Sequence, residues 1–554
     1  MLWTGPFLPL AALIWPLIVA GLITLPALRG QAVRLLPLAP LPALVAALSA
    51  TDALTTAPDL LMGVTLQLDA SGRLLLGLTA TLWLIAGLAA QPMAGKPDEA
   101  VFSGFWCLTL AGNMAVFMAQ DIVTFYVAFA AVSLAAWFLV VHDRSATALR
   151  AGQVYIVMAI LGEVCLLLGL LYGADAAGSL EIPALRAALA GPDAPALALP
   201  LLIIGFGIKA GMVPLHVWLP LAHPAAPVAA SAVLSGAIVK AGLFGMIQFM
   251  PQAQAEAQAL AMPGLVALGM IGAFGAAIWG LTQSNPKAVL AYSTISQMGL
   301  MILMVGTNSA ARDTVAYFAL HHGLAKGALF LLCGVMLVAA TRAQRVLCIA
   351  VACFVAASVA GLPLTGGALA KSAVKSTLPE MLSLVLSLSS ITTSLILLWF
   401  LYRLWAVPHA KAAAPLWAAR LSLPVLAGGL AIAAPWVLWP SWADTGRGYN
   451  LAGQTLFDAV WPVLACLPLA ILLWRCPLPE HPPGDLLQLL RFRPPGPIHL
   501  PKLPDMSRSQ STALTILLNA VRAGEKRLTE WPLISTAMAL LVLVLLAALM
   551  KGPS

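Results

Sequence analysis

Residues 205–246 read GFGIKAGMVPLHVWLPLAHPAAPVAASAVLSGAIVKAGLFGM, and their pattern sets the architecture expected of the whole chain. It is an apolar run two spans long. Lys209 lies well into the first span, Pro214 and Pro220 interrupt that span's second half, and Lys240 sits well inside the next. An ionisable group at membrane depth costs about 2.5–3.5 kcal/mol on insertion scales, so it needs a partner, a cavity or a task. Prolines inside a span leave backbone groups unpaired, which is tolerated only where they line a polar or hydrated cavity. A broken helix beside two intramembrane amines reads as an ion path.

The rest of the chain agrees. Of 554 residues, 61% are apolar and 9% charged, against the ~25% charged of an ordinary globular domain. That composition excludes a secreted enzyme, a cytosolic enzyme and a disordered chain. With about 20 residues per span, the length accommodates on the order of fifteen. Hydropathy places them near 7–28, 33–50, 74–90, 101–119, 121–141, 152–173, 197–218, 226–250, 260–282, 287–306, 313–340, 345–375, 382–406, 418–440, 455–475 and 532–550. The net charge of +8 is read as positive-inside topology and not as nucleic-acid binding. Arg29, Arg34, Lys96, Arg144 and Arg150 fall in alternate early connections, and the intervening ones carry acids with only Arg73 and Arg186. This puts the N-terminus outside the cytoplasm of a cell whose inner membrane the chain crosses many times. The opening apolar run reads as a retained helix and not as a cleaved signal. The seven cysteines form no CxxC and fit neither a disulfide frame nor an iron-sulfur site.

The second half repeats the pattern of the first. Lys326, in FALHHGLAKGALFLLCGVM, lies four residues after His322 and so on the same helical face. Lys371 follows a second interruption, ASVAGLPLTGGALAKSAVK, broken by Gly361, Pro363, Gly366 and Gly367. The expected fold is an all-α polytopic membrane protein of about 14–16 transmembrane helices, with two inverted five-helix repeats that each contain a broken helix. The expected organisation is N-terminal helices over 1–100, a first repeat over 101–250, a second over 260–406 and additional helices over 407–475. A proline-rich linker with an amphipathic surface helix would follow over 476–530, then a closing span over 531–554. Residues 476–505 hold nine prolines, and the helix beyond sets Leu514, Leu517, Leu518, Val521 and Leu528 against Arg522, Lys526 and Arg527. That helix packs on the protein's own surface or meets lipid or a partner.

Proton relay suits these residues. An amine in a low-dielectric interior gives up its proton more readily, and a nearby carboxylate restores it, so moving the partner moves the proton. His223 and His322 are the candidate linkers between lysines; His216 and His321 read as structural. Glu163, in VYIVMAILGEVCLLLGLLY, stands mid-span with no reason to be there unless it faces something charged. Asp121 reads as a helix cap before it reads as an intake residue.

The 205–246 stretch, together with TQSNPKAVLAYSTISQMGLM, HHGLAKGALFLLCGVM and GLPLTGGALAKSA, resembles the antiporter-like subunits of respiratory complex I, of Mrp cation/proton antiporters and of membrane-bound hydrogenases. The large distal complex I subunit is the nearest type. The resemblance covers roughly residues 100–400. It implies that Lys209, Lys240, Lys326 and Lys371 form a hydrated mid-membrane axis fed from either side through the two broken helices. There are departures. The family's fifth-helix motif, F-E-x-M-S-L, reads here Phe129, Ala130, Ala131, Val132, Ser133, Leu134, so the expected glutamate partner of Lys209 is missing. In the tenth helix a usual Asp reads Asn285 and a frequent His reads Gln297, although Lys287 remains, and in the eleventh a frequent His reads Phe318. Glu163 is therefore the candidate replacement modulator of Lys209, against a rival reading as a structural hydrogen bond to a neighbouring helix.

The expected function is proton translocation, with the coupled ion left open between H+ alone and H+ with Na+, in a complex I-like, Mrp-like or hydrogenase-like assembly with other membrane subunits. No cofactor, metal or redox catalysis is expected of this chain itself, which lacks a dinucleotide or nucleotide loop and a cysteine cluster. Any oxidoreductase activity would belong to the whole complex. Two alternatives stand beside it: the membrane subunit of a bicarbonate-uptake system, and a scaffold that lost translocation with Ala130.

Overall fold

The computed structural model describes residues 7–49, 54–90, 98–251, 261–307, 312–412, 417–442, 453–476 and 478–481. The expected amphipathic helix, the closing span and nearly all of the proline-rich linker lie outside the described residues. The described chain is almost wholly helical: α1 (Phe7–Thr24), α2 (Arg29–Arg34), α3 (Leu41–Leu48), α4 (Ala70–Ala90), α5 (Glu99–Val116), α6 (Ile122–Val140), α7 (Ala146–Ala177), α8 (Ile182–Ala190), α9 (Ala198–Ala210) and α10 (Leu219–Ala225). There follow α11 (Val228–Val233), α12 (Val239–Phe249), α13 (Ala261–Gly280), α14 (Pro286–Thr307), α15 (Arg312–Leu337), α16 (Arg342–Ala360), α17 (Gly366–Lys375), α18 (Glu380–Trp405), α19 (Trp417–Trp442) and α20 (Gly453–Arg475). A two-stranded hairpin, β1 (Thr55–Ala57) with β2 (Val64–Leu66), is antiparallel with Thr55 opposite Leu66.

Among the described residues, eleven helical segments are long and apolar enough to cross a membrane, counting α11–α12 as one. Other expected spans are present as shorter apolar helices, Leu8–Thr24, Leu36–Leu48 and Ala198–Ala210. The span expected over 33–50 is divided, because Pro37 and Pro40 each remove a backbone donor. Burial sorts the bundle. In the most apolar stretches of 228–249 and 286–307 every residue is buried and in that of α15 nearly every one, whereas in those of α7, α13 and α19 33% are and in that of α20 11%. The helices that hold Lys240 and Lys326 are thus central.

Both interruptions fall in the stretches that the sequence singles out. The first helix ends at Gly211 (φ +74°) and the second at Gly361 (φ +91°), left-handed conformations that a Cβ penalises. With the short α8 left aside, α5, α6, α7, α9–α10, α11–α12 and α13, α14, α15, α16–α17, α18 both put the broken helix fourth. The lysines differ in their position relative to the break: Lys209 precedes Gly211, and Lys371 follows Gly361. The second break is closely packed, since a Cβ on Gly367 would come within 1.7 Å of the Ser358 carbonyl oxygen. Gly367→Ala is therefore expected to destabilise the protein by about 1–3 kcal/mol, as overpacking does. Gly429→Ala, whose Cβ meets nothing within 4 Å, is the control, and the thermal unfolding midpoint of the solubilised protein is the measurement.

Polar contacts gather at two opposite ends of the bundle. At one, Asp121 caps α6 by accepting from the Thr124 amide (2.7 Å) and also accepts from the Thr65 amide (2.9 Å) of the hairpin. There too, Gln248 donates to Asp69, Ser71 donates to Asp313 (2.6 Å) and Arg312 donates to the Met250 carbonyl. At the other end Arg144 pairs with Asp98 (3.3 Å), Arg345 donates to the Trp405 carbonyl and Arg403 pairs with Glu480. The amines of the broken and central helices lie between these ends.

Candidate functional site

Glycine contacts set the first station. Gly162 of α7 and Gly205 of α9 meet so closely that a Cβ on Gly205 would stand 2.9 Å from the Gly162 carbonyl oxygen. Glu163 is the next residue on α7, and Lys209 lies one turn beyond Gly205 on α9, so the close crossing brings the two side chains to one place. Both are nearly enclosed, at 8% and 6% exposure. They do not bond directly. The Lys209 ammonium donates to the Ser133 hydroxyl, and that hydroxyl donates to Glu163 Oε1. The Tyr155 hydroxyl holds the Ser133 carbonyl (3.0 Å), and the Lys209 Nζ sits 4.9 Å above the Phe129 ring. A cavity of about 10 Å³ lined by Ser133, Glu163, Lys209, Tyr155 and Trp218 adjoins the group, room for about one water. Glu163 Oε2 has no hydrogen-bond partner among the described residues.

A second station forms where α12, α14 and α15 meet. A π-helical turn, Leu234–Ile238, separates α11 from α12 and frees the Ser235 carbonyl. Lys240 Nζ donates to that oxygen (2.8 Å) and lies 2.9 Å from His322 Nδ1. The contact is possible because Gly236 and Gly323 let the two helices touch; a Cβ on Gly323 would be 2.5 Å from the Gly236 carbonyl oxygen. Lys326, fully enclosed, donates to the Ser293 hydroxyl. His223 is enclosed against the Phe330 ring (centroids 4.5 Å apart), feels the charges of Lys240, Lys287 and Lys326, and leaves both ring nitrogens without a hydrogen-bond partner among the described residues. Lys287 donates to the Ala226 (2.6 Å) and Pro224 (3.2 Å) carbonyls, closing the end of α10 beside His223.

The third station is the second break. Lys371 Nζ donates to the Ala360 carbonyl (2.7 Å), which the end of α16 leaves free, and to the Ser390 hydroxyl (2.8 Å). His321 Nε2 lies 2.9 Å from Ser358 Oγ and interacts electrostatically with Lys371 and His322. His321, expected to be structural, therefore stands between the second and third stations. His216 stays on the first break, edge-on to Tyr292 at 6.2 Å. Gln297, at the position where a histidine was expected, donates to Thr393 (2.8 Å) and ties α14 to α18.

The structure thus gathers Glu163 with Lys209; Lys240, Lys326, His223, His322 and Lys287; and Lys371 with His321. Among the described residues it makes no hydrogen bond between Lys209 and Lys240, although α9 and α12 touch close beside both, where a Cβ on Gly242 would stand 2.6 Å from the Ala210 amide nitrogen. Asp121 caps a helix. Ser133 was not singled out by its own chemistry, and its only sequence signal was its place in the altered fifth-helix motif.

The transmembrane family described as NADH:quinone oxidoreductase/Mrp antiporter matches residues 119–397, just over half of the chain. The chain belongs to this family. Similar to it are Hydrogenase-4 component B of Escherichia coli (strain K12), 31% identical over 292 residues, covering 50% of this chain and 43% of that protein, and NAD(P)H-quinone oxidoreductase chain 4 1 of Picosynechococcus sp. (strain ATCC 27264 / PCC 7002 / PR-6), 30% identical over 288 residues, covering 50% and 52%. The chain spans about half the length of these curated relatives or less. Its fold is also that of a chain in the Mrp complex from Dietzia sp. DQ12-45-1b, with a TM-score of 0.72 at 20% identity over 95% of this chain and 63% of that one. A chain of the membrane-bound sulfane sulfur reductase, an archaeal respiratory membrane complex, gives a TM-score of 0.68 at 19% identity over 83% and 99%. The family member described here is a multi-pass, all-α membrane protein.

Proposed function

We propose that this chain moves protons across the inner membrane as an antiporter-like subunit of a larger membrane complex, through Lys209, Lys240, Lys326 and Lys371, with His223 and His322 as linkers and Glu163 acting on Lys209. One observation carries the reading: Lys240, Lys326 and Lys371 are buried, and the hydrogen-bond partners of their amines are hydroxyls, carbonyls and an imidazole. A buried amine held by neutral groups exchanges a proton without pulling opposite charges apart, whereas one paired directly with a carboxylate must first break that pair. The hydrogenase and quinone oxidoreductase relatives support this reading over a bicarbonate-uptake partner or a scaffold.

The repeats are placed at 101–250 and 260–406, in line with the fourth-place break in each, and the N-terminus on the non-cytoplasmic side, in line with the basic early connections. In that orientation Lys287 and His223 approach the cytoplasmic face and Lys375 the opposite one. Membrane vesicles holding the assembled complex are expected to show proton uptake, read by a pH-sensitive dye, that vesicles from a strain lacking this chain do not. Equal uptake in both would dismiss translocation by this subunit. Co-purification of other membrane subunits, identified by mass spectrometry, tests the assembly.

A further inference from the structure

Three helices present polar faces to one space beside Lys371. From α17 come Ala368, Lys371, Ser372 and Lys375, spaced i, i+3, i+4 and i+7; from α18, Ser387 and Ser390; and from α20, Thr455, Asp458 and Ala459. These spacings each put one helix's residues on a single face. Together they line a cavity of about 190 Å³, room for several waters. Ser390 at its inner end holds the Lys371 amine, and Asp458 acts electrostatically on Lys375. α20 lies outside residues 119–397 and is the most exposed of the long helices. An aspartate on a helix so little enclosed, turned to a polar cavity, is a costly feature for membrane depth unless water reaches it.

The resemblance already implies an aqueous route beside the second broken helix; the geometry points to Asp458 of α20 as the carboxylate at the rim of that route's mouth, where it receives or delivers the Lys371 proton. The transfer is balanced: a proton leaves the Lys371 ammonium, passes along water beside Ser390 and Lys375, and protonates the Asp458 carboxylate, which returns to its anion by release to solvent. The inference rests on the transport reading and gives α20 a role in it.

The test uses the full chain in its complex, in a background where the seven native cysteines are replaced by serine or alanine. Ser390→Cys and Thr455→Cys are exposed separately to a small, charged, membrane-impermeant methanethiosulfonate, in right-side-out and in inverted vesicles. Both are expected to react from the same single face, and modification of Ser390→Cys is expected to cut proton flux about tenfold. Asp458→Asn should fall comparably and Asp458→Glu should retain flux. Should Ser390→Cys resist the charged reagent while a permeant one labels it, or should it react with no change in flux, the mouth is not on the path. Lys209→Ala in the same vesicles separates the two ideas. Flux lost there with Ser390→Cys unreactive defeats the mouth alone, and flux kept there with Ser390→Cys reactive defeats the transport reading.

Discussion

Lys326→Ala is expected to lower proton flux by about two orders of magnitude or more, the scale of a positioned group that passes a proton, while the complex still assembles. Lys326 lies one helical turn from His322, whose Nδ1 meets the Lys240 amine at 2.9 Å, and its own charge is felt by His223, His322 and Lys240. Removing this amine opens a gap between the Lys287 side of the station and the Lys240–His322 pair. A structural reading predicts lost flux too, so alanine alone does not decide the matter. Lys326→Arg does, because a guanidinium keeps the charge and the hydrogen-bond donors but does not give up its proton. A relay fails in the arginine variant as it fails in the alanine one; a fixed structural charge would be served by either cation. Dye-reported flux at matched amounts of assembled complex is the measurement. Arginine at wild-type rate would remove Lys326 from the path.

The fold was legible because membrane insertion imposes a coarse and repetitive grammar. Apolar length marks a span, proline or glycine inside it marks a break, and an intramembrane lysine marks a place worth explaining. Gly361 ends its helix within the expected interruption, whereas the first helix already ends at Gly211, ahead of the Pro214 and Pro220 read as its break. The span expected over 33–50 is present in short pieces; mean hydropathy does not register what Pro37 and Pro40 do to the backbone. At the site, the sequence could name the lysines but not their partners, since partners depend on which helices touch. The π-helical turn at Leu234–Ile238 leaves no compositional trace, yet it supplies the carbonyl that Lys240 uses. His321 read as packing because its neighbour His322 has the better spacing to Lys326; only the approach of α15 to the second break brings it to Ser358. The small residues Gly162, Gly205, Gly236 and Gly323 were visible, but their pairing, which draws the charged helices together, belongs to tertiary structure.

Glu163→Gln is expected to reduce flux about tenfold, a size common for residues that bias a coupled network. The reason lies in one missing side chain and its substitute. At Ala130, on α6, the family motif has its glutamate, and here a carboxylate reaches the same lysine from α7 by way of the Ser133 hydroxyl. Ser133 has a single proton to donate, so it can accept from Lys209 and donate to Glu163, or turn that proton to the Phe129 carbonyl 3.1 Å away and leave the carboxylate uncoupled. Ser133→Ala should therefore match Glu163→Gln, the double variant should be no worse than either, and Ser133→Thr should restore flux because it keeps the hydroxyl. Strict additivity of the two single losses would mean that the residues act separately. The complementary experiment moves the charge back. In Ala130→Glu with Glu163→Gln the carboxylate returns to α6, about one turn before Ser133. Flux is expected to recover to within a few-fold of the wild type, since what Lys209 requires is a nearby anion and not a particular helix to hold it. If flux in the swapped variant stays at the Glu163→Gln level although the complex assembles, Glu163 is a packing hydrogen bond and Lys209 takes its control from elsewhere.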